Sequence, residues 1–129
     1  MDTKISILCL DDKPENTKAL SSLLSKNFEV YTTSSPFEAL EIVKRVPELK
    51  VIISSQQMSE MDGFTVLKLI KILKPDTYRI LISGYADARD LMQSHEKGVF
   101  HKFLTKPWST YTLFSMLGEM TKNKSMIIN

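Results

Sequence analysis

Five short apolar runs, each broken by polar or turn-forming residues and then followed by a helical stripe, set the rhythm of this chain. Ile5 to Leu10 reads as a buried strand ended by Asp11-Asp12. Lys13-Pro14-Glu15 then opens a helix, with Pro14 in the first turn, where its missing N–H costs nothing, and Asp12 as a candidate cap. Leu20, Leu23 and Leu24 form its inward stripe, and Asn27 stops it. Phe28 to Thr32 is a second strand. Ser35-Pro36-Phe37-Glu38 has the form of a capping box, starting a helix whose stripe is Phe37, Leu40 and Val43 and whose end is marked by Pro47.

Val51 to Ile53 is the third strand and gives way to Ser54-Ser55. Met61-Asp62-Gly63 supplies turn chemistry before a helix from about Phe64 to Leu73, apolar at Val66, Leu67, Ile70 and Leu73 and broken by Lys74-Pro75-Asp76. Tyr78 to Ile82 makes a fourth strand ending at Ser83-Gly84. Asp87 or a neighbour caps a helix carrying Ala88, Leu91, Met92 and His95, and Gly98 is placed to end it. Val99 to Leu104 is the fifth strand, ended by Thr105-Lys106-Pro107. A last helix from about Ser109 to Met120 carries Leu113, Met116, Leu117 and Met120, leaving Thr121 to Asn129 as a frayed tail. Five strands alternating with five helices predict an α/β fold, a doubly wound parallel sheet with right-handed crossovers and helices on both faces. Residues 1–121 form one domain in this reading and 122–129 a tail.

Composition adds limits to that picture. A chain of 129 residues is near the common size of one domain, and 43% apolar with 25% charged residues is an ordinary globular balance. A net charge of +2 on scattered lysines gives no footprint for nucleic acid or membrane. The single cysteine, Cys9, lies within the first strand, so no internal disulfide can form and a reducing compartment, the cytoplasm, is expected. No run approaches the ~20 apolar residues that span a bilayer.

In a parallel sheet every strand's carboxyl end lies on one rim, where ligands of such sheets bind. Asp11-Asp12, Ser54-Ser55, Ser83 and Lys106, far apart in sequence, should therefore meet. Paired carboxylates suit a hard cation such as Mg²⁺, a hydroxyl suits a phosphoryl oxygen, and an ammonium suits its charge. Taken singly, each group has a plainer explanation in turns, caps or solvated charge. His95 and His101 are expected at the surface or rim rather than as a base or ligand pair.

Together, the order and spacing of Leu10-Asp11-Asp12, Met61-Asp62-Gly63, Ser83-Gly84-Tyr85-Ala86-Asp87 and Leu104-Thr105-Lys106-Pro107-Trp108 resemble the receiver domains of bacterial two-component response regulators. The likeness runs from Ile5 to about Met120. It implies a flavodoxin-like (βα)5 three-layer sandwich with strand order 2-1-3-4-5. In that family an Asp at the end of the third strand accepts a phosphoryl group from a histidine kinase with the help of Mg²⁺. The resemblance makes Asp12 a direct metal ligand and Asp11 one acting mainly through water, with the Gln57 carbonyl completing the site. Ser83 takes the switch hydroxyl position, Lys106 the phosphoryl-contacting position before a cis bond to Pro107, and Phe103 the aromatic switch position.

At the acceptor position the chain departs from the family. The acceptor lies seven residues before the Asp of the Met-Asp-Gly turn, and counting back from Asp62 reaches Ser55. Ser54 is also serine, and no acid stands between Glu48 and Glu60. Glu48 precedes the strand, about 17 Å from the rim at about 3.3 Å per residue. Ser59 replaces the proline usual in that loop.

An aspartyl phosphate is a labile mixed anhydride, whereas a seryl phosphate is a stable ester, so serine cannot run the same reversible switch. Serine is also a poor nucleophile without a base, and no Ser-His-Asp arrangement accompanies it. Asp11, Asp12 and Lys106 sum to −1 where the family pattern gives −2, so Mg²⁺ should bind weakly if at all, and no cofactor is required. The expected function is that of a degenerate receiver, a pseudo-receiver binding protein partners without enzymatic activity. A Ser55-modified or otherwise catalytic variant is the alternative. The partners implied are a histidine kinase, an output domain or a second copy. Trp108, Tyr111 and Phe114 give the last helix more apolar width than one buried stripe requires, marking a partner face equally explained by deeper packing. After Met120 too little chain follows for a helix-turn-helix of its own.

Overall fold

A computed structural model describes residues 4–84 and 98–128, with side chains described as far as Met120. Within it run β1 (Ser6–Leu10), α1 (Pro14–Leu24), β2 (Glu29–Thr33), α2 (Pro36–Arg45), β3 (Leu49–Ser55), α3 (Gly63–Leu73), β4 (Tyr78–Ser83), β5 (Lys102–Thr105) and α4 (Thr110–Ile128). The expected helix with Ala88, Leu91, Met92 and His95, and its Asp87 cap, lie outside the described residues. The five strands are parallel in the order β2-β1-β3-β4-β5. This is the doubly wound sheet that the alternation predicts.

Side-chain alternation along the strands sorts the core into two clusters. Leu8, Leu10, Ile52 and Leu81 face α2 and α3, meeting Ala39, Ile42, Val43, Val66, Leu67 and Ile70. Ile7, Cys9, Ile53, Ile80, Ile82 and Leu104 face the other way, against Leu20, Leu24, Leu113 and Leu117 of α1 and α4. Because β3 is central and covered on both faces, Val51 to Ile53 reads as one apolar run until the two serines. Burial of the Cys9 thiol pushes its pKa up to about 12, so it behaves as a small hydrophobe.

Several local expectations need correction. The inward face of α2 is Pro36, Ala39, Ile42 and Val43, while Phe37 is 53% exposed. Helix phase is fixed by the Ser35 cap: its hydroxyl accepts the Glu38 N–H, but Glu38 turns its carboxylate to the Thr33 hydroxyl rather than back to the cap. On α3, Leu73 is exposed, and the inward face is Gly63, Val66, Leu67 and Ile70. The cap of α1 is Lys13, with no side-chain bond, and Asp11 rather than Asp12 serves the turn. The last helix continues through Thr121 to Ile128, where a frayed tail was expected. That stretch loses its apolar stripe but contains neither Gly nor Pro to stop a helix.

One buried charge escaped the periodicity argument. Arg79 is 2% exposed within β4, and its guanidinium donates to the carbonyls of Pro75, Thr77, Gly98 and Val99 at 2.9–3.2 Å. Desolvation lowers its pKa. The cage stitches the α3–β4 turn to the chain entering β5, at the rim opposite Asp11 and Lys106. His101 lies at that opposite rim too. Its Nδ1 accepts the Arg79 backbone N–H at 3.0 Å and its ring stacks on Tyr78, while desolvation, Arg79 and Lys71 lower its pKa.

Candidate functional site

Four loops meet at the carboxyl rim because backbone bonds carry the strand ladder into them. Asp11 N–H donates to Thr33 O at 3.3 Å, Gln56 N–H to Ile82 O at 2.8 Å and Lys106 N–H to Ser83 O at 2.9 Å. Between them lies a cavity of about 300 Å³ lined by Asp11, Asp12, Lys13, Ser55, Gln57, Met58 and Lys106. Five of the residues expected at the site thus converge. Ser83, 1% exposed at the end of β4, and Phe103 are not among the described lining residues. Phe103 instead packs edge-on to Phe100, with ring centroids 5.7 Å apart, against the α2/α3 cluster.

Alternation along β3 separates the two serines. Ser54 is fully buried, and its hydroxyl donates to Ser55 O at 2.9 Å. Ser55, 4% exposed, lines the cavity. The seven-residue spacing to Asp62 has a physical cause. Asp62 caps α3 by accepting the Thr65 N–H at 2.8 Å, and Gly63 donates its N–H to Gln56 O at 2.9 Å. Gly63 also packs so close that a Cβ there would stand 2.1 Å from Ser55 O. The Met-Asp-Gly turn is therefore seated directly on the backbone of Ser55.

Two participants were not legible in the sequence. Gln56 accepts the Phe64 N–H on its side-chain oxygen at 2.8 Å, so carboxylate, amide and carbonyl oxygens together satisfy three of the first donors of α3. Lys13 also lines the cavity, so the formal charge of the lining residues is zero rather than −1. A Lys next to an Asp pair looks like any solvated surface charge until the turn is folded.

The carboxylates are occupied by the chain itself. Asp11 Oδ1 accepts the Lys13 N–H at 3.0 Å and Oδ2 the Asn16 side-chain amide at 2.9 Å. Asp12 Oδ2 accepts the Ser59 N–H at 3.0 Å and lies 3.5 Å from the Ser59 hydroxyl. Three of the four carboxylate oxygens thus have donors from the protein, and no group of three or more His, Cys, Asp or Glu side chains converges among the described residues. With two carboxylates, each already accepting hydrogen bonds from the chain, the site offers a divalent cation few protein ligands and leaves most of its six or more coordination positions to water.

The peptide bond between Lys106 and Pro107 is cis. Trp108 and Phe114 are half-buried against the α1/α4 cluster, whereas Tyr111 is 82% exposed. The apolar width of the last helix is thus partly spent on packing. Among the described residues no helix is long and apolar enough to cross a membrane.

The profile of the response regulator receiver domain matches residues 7–118. The chain belongs to that family. Among curated proteins, this receiver domain is 33% identical over 107 residues to the hydrogenase transcriptional regulatory protein HoxA of Cupriavidus necator, covering 83% of this chain and 22% of that protein. It is 32% identical over 122 residues to the sensor kinase CckA of Brucella abortus, covering 92% of this chain and 12% of the kinase. The chain therefore spans less than a quarter of either relative. Among solved structures, a response regulator receiver domain protein from Clostridium thermocellum superposes with a TM-score of 0.86 at 25% identity, covering 95% of this chain and 98% of that one. The receiver fold and its place in two-component signalling are thereby established.

Proposed function

We propose that this receiver domain works as a protein-binding module that takes no phosphoryl group on aspartate. The observation that carries the reading is Ser55: it occupies the buried end of β3 beside Asp11, Asp12 and Lys106, where the receiver family places its acceptor carboxylate. Serine supplies neither an anhydride-forming oxygen nor the charge that would hold a metal. With a cavity lining of zero formal charge and the acidic pair already hydrogen-bonded, the domain requires no cofactor and holds Mg²⁺ weakly. In this reading it is not an enzyme. Its partner is a histidine kinase, an output domain or a second copy, since related domains occur both in a transcriptional regulator and in a sensor kinase. A single buried thiol without a disulfide partner suits the cytoplasm, and the scattered charges favour no nucleic acid or membrane through this domain.

Intact mass after incubation with acetyl phosphate and Mg²⁺ tests the reading. The wild type is expected to gain no adduct of about 80 Da. A gain that is lost in alkaline hydroxylamine would place an acyl phosphate on a carboxylate and sink the proposal; a gain that survives it would mark Ser55 as a modified nucleophile instead.

We assign partner contact to the start of α4, where Tyr111 is exposed. Sedimentation at rising concentration should show self-association for the wild type and its loss for Tyr111→Ala. Equal sedimentation of both as monomers would remove that face as a dimer contact.

A further inference from the structure

We infer that Ser59 is a latch that holds Asp12 Oδ2 and so weakens the binding of metal ions by Asp12. The pair lies 47 residues apart in sequence, so the 3.0 Å bond from the Ser59 N–H to Asp12 Oδ2 ties the β1–α1 loop to the β3–α3 loop, both of which contribute residues to the cavity lining. The hydroxyl of Ser59 stands farther off, at 3.5 Å, at the edge of hydrogen-bond range, so the backbone amide is the main donor. A proline at this position has no N–H and cannot make the bond. The exchange of proline for serine in this loop therefore creates a donor as well as changing a side chain.

The consequence is a competition. A bond from N–H to an ionised carboxylate is among the stronger hydrogen bonds, and it fixes the orientation of the carboxylate. A cation that binds through Asp12 Oδ2 competes with the Ser59 N–H for that oxygen, and one that takes Oδ1 meets a carboxylate whose orientation the bond has fixed. Asp11 is held likewise, each of its oxygens accepting one hydrogen bond, from the Lys13 N–H and the Asn16 side-chain amide. The same amide thus links two rim loops without a metal and raises the free energy of binding one. Ser59 is in this sense a positioning residue, acting on the metal position only through Asp12. The inference is independent of the reading of Ser55: a chain relieved of the latch would bind cations better and still lack an acceptor carboxylate.

Calorimetric titration of the full chain with Mg²⁺ and Mn²⁺ tests it, with the fluorescence of the single tryptophan, Trp108, as a second readout. Ser59→Pro should bind either cation about five- to tenfold more tightly than the wild type, equivalent to about 1–1.4 kcal/mol. Ser59→Ala, which keeps the amide, should stay within about twofold of the wild type. Equal affinities for wild type and Ser59→Pro overturn the latch, as does a gain of the same size in Ser59→Ala. Should Ser59→Pro fail to fold, amide exchange decides. The Ser59 N–H should be protected in the wild type and lose that protection in Asp12→Ala; an unprotected amide in the wild type, or protection unchanged by Asp12→Ala, refutes the inference.

Discussion

Gly63→Ala is expected to destabilise the domain by about 3 kcal/mol, lowering the melting temperature by about 10 °C, the upper range for overpacking a rigid site. The reason is a backbone contact. A Cβ on Gly63 would stand 2.1 Å from Ser55 O, 2.9 Å from Ser55 C and 2.8 Å from Leu81 Cδ1. A leucine side chain can move aside, but the Ser55 carbonyl belongs to the central strand, where Ser55 pairs with Ile82 of β4 and its oxygen accepts the Ser54 hydroxyl. Relief requires α3 to shift away from β3, which strains the Gly63 N–H bond to Gln56 O and the neighbouring Phe64 bond to the Gln56 side chain. Gly118→Ala is the matched comparison. Nothing lies within 4 Å of its added Cβ, and it sits within the exposed face of α4, so it should stabilise by about 0.5–1 kcal/mol. Thermal unfolding of the two variants should therefore move in opposite directions; a neutral Gly63→Ala would mean that the turn is not seated on the acceptor strand.

Ser55→Asp carries the second large effect. It replaces a hydroxyl that is 4% exposed by a carboxylate and moves the lining from zero to −1. A buried carboxylate without full compensation costs several kcal/mol in general, partly offset here by Lys13 and Lys106. The variant should therefore melt below the wild type in EDTA and recover as Mg²⁺ is added, because any ligand that binds only the folded state stabilises it. Its Mg²⁺ affinity should exceed that of the wild type by about tenfold or more, the third carboxylate supplying both charge and an oxygen donor. The wild type should show no such Mg²⁺ dependence. With acetyl phosphate, Ser55→Asp is expected to gain a hydroxylamine-sensitive adduct of about 80 Da. If melting is indifferent to Mg²⁺ and no adduct forms, more of the site than one side chain has changed. Combining Ser55→Asp with Ser59→Pro then separates the causes: a further gain in affinity assigns the residual loss to the hold of Ser59 on Asp12.

The two substitutions act through different parts of one design. Gly63 and Asp62 set where β3 ends relative to α3, and Ser55 sets what chemistry stands at that end. In the proposed function the scaffold keeps the receiver geometry with Ser55 standing at the acceptor position.

The linear chain determined the alternation of strands and helices and the ring of strand ends that gathers Asp11, Asp12, Ser55, Gln57 and Lys106, because burial on both faces of a parallel sheet demands unbroken apolar runs with polar breaks at one rim. It also put a serine, Ser55, seven residues before Asp62, since that spacing is a count along the chain. Helix phase was less legible: Phe37 fits the spacing of a stripe as well as Ala39 does, and only packing on the sheet chose between them. Tertiary structure alone decided the hydrogen bonds that cross the rim. Asp12 meets Ser59, and Arg79 meets Gly98 and Val99, across separations at which local sequence sets no geometry. Polar side chains at a rim have several donors and acceptors within reach, and which ones pair is fixed only when the loops are closed against each other.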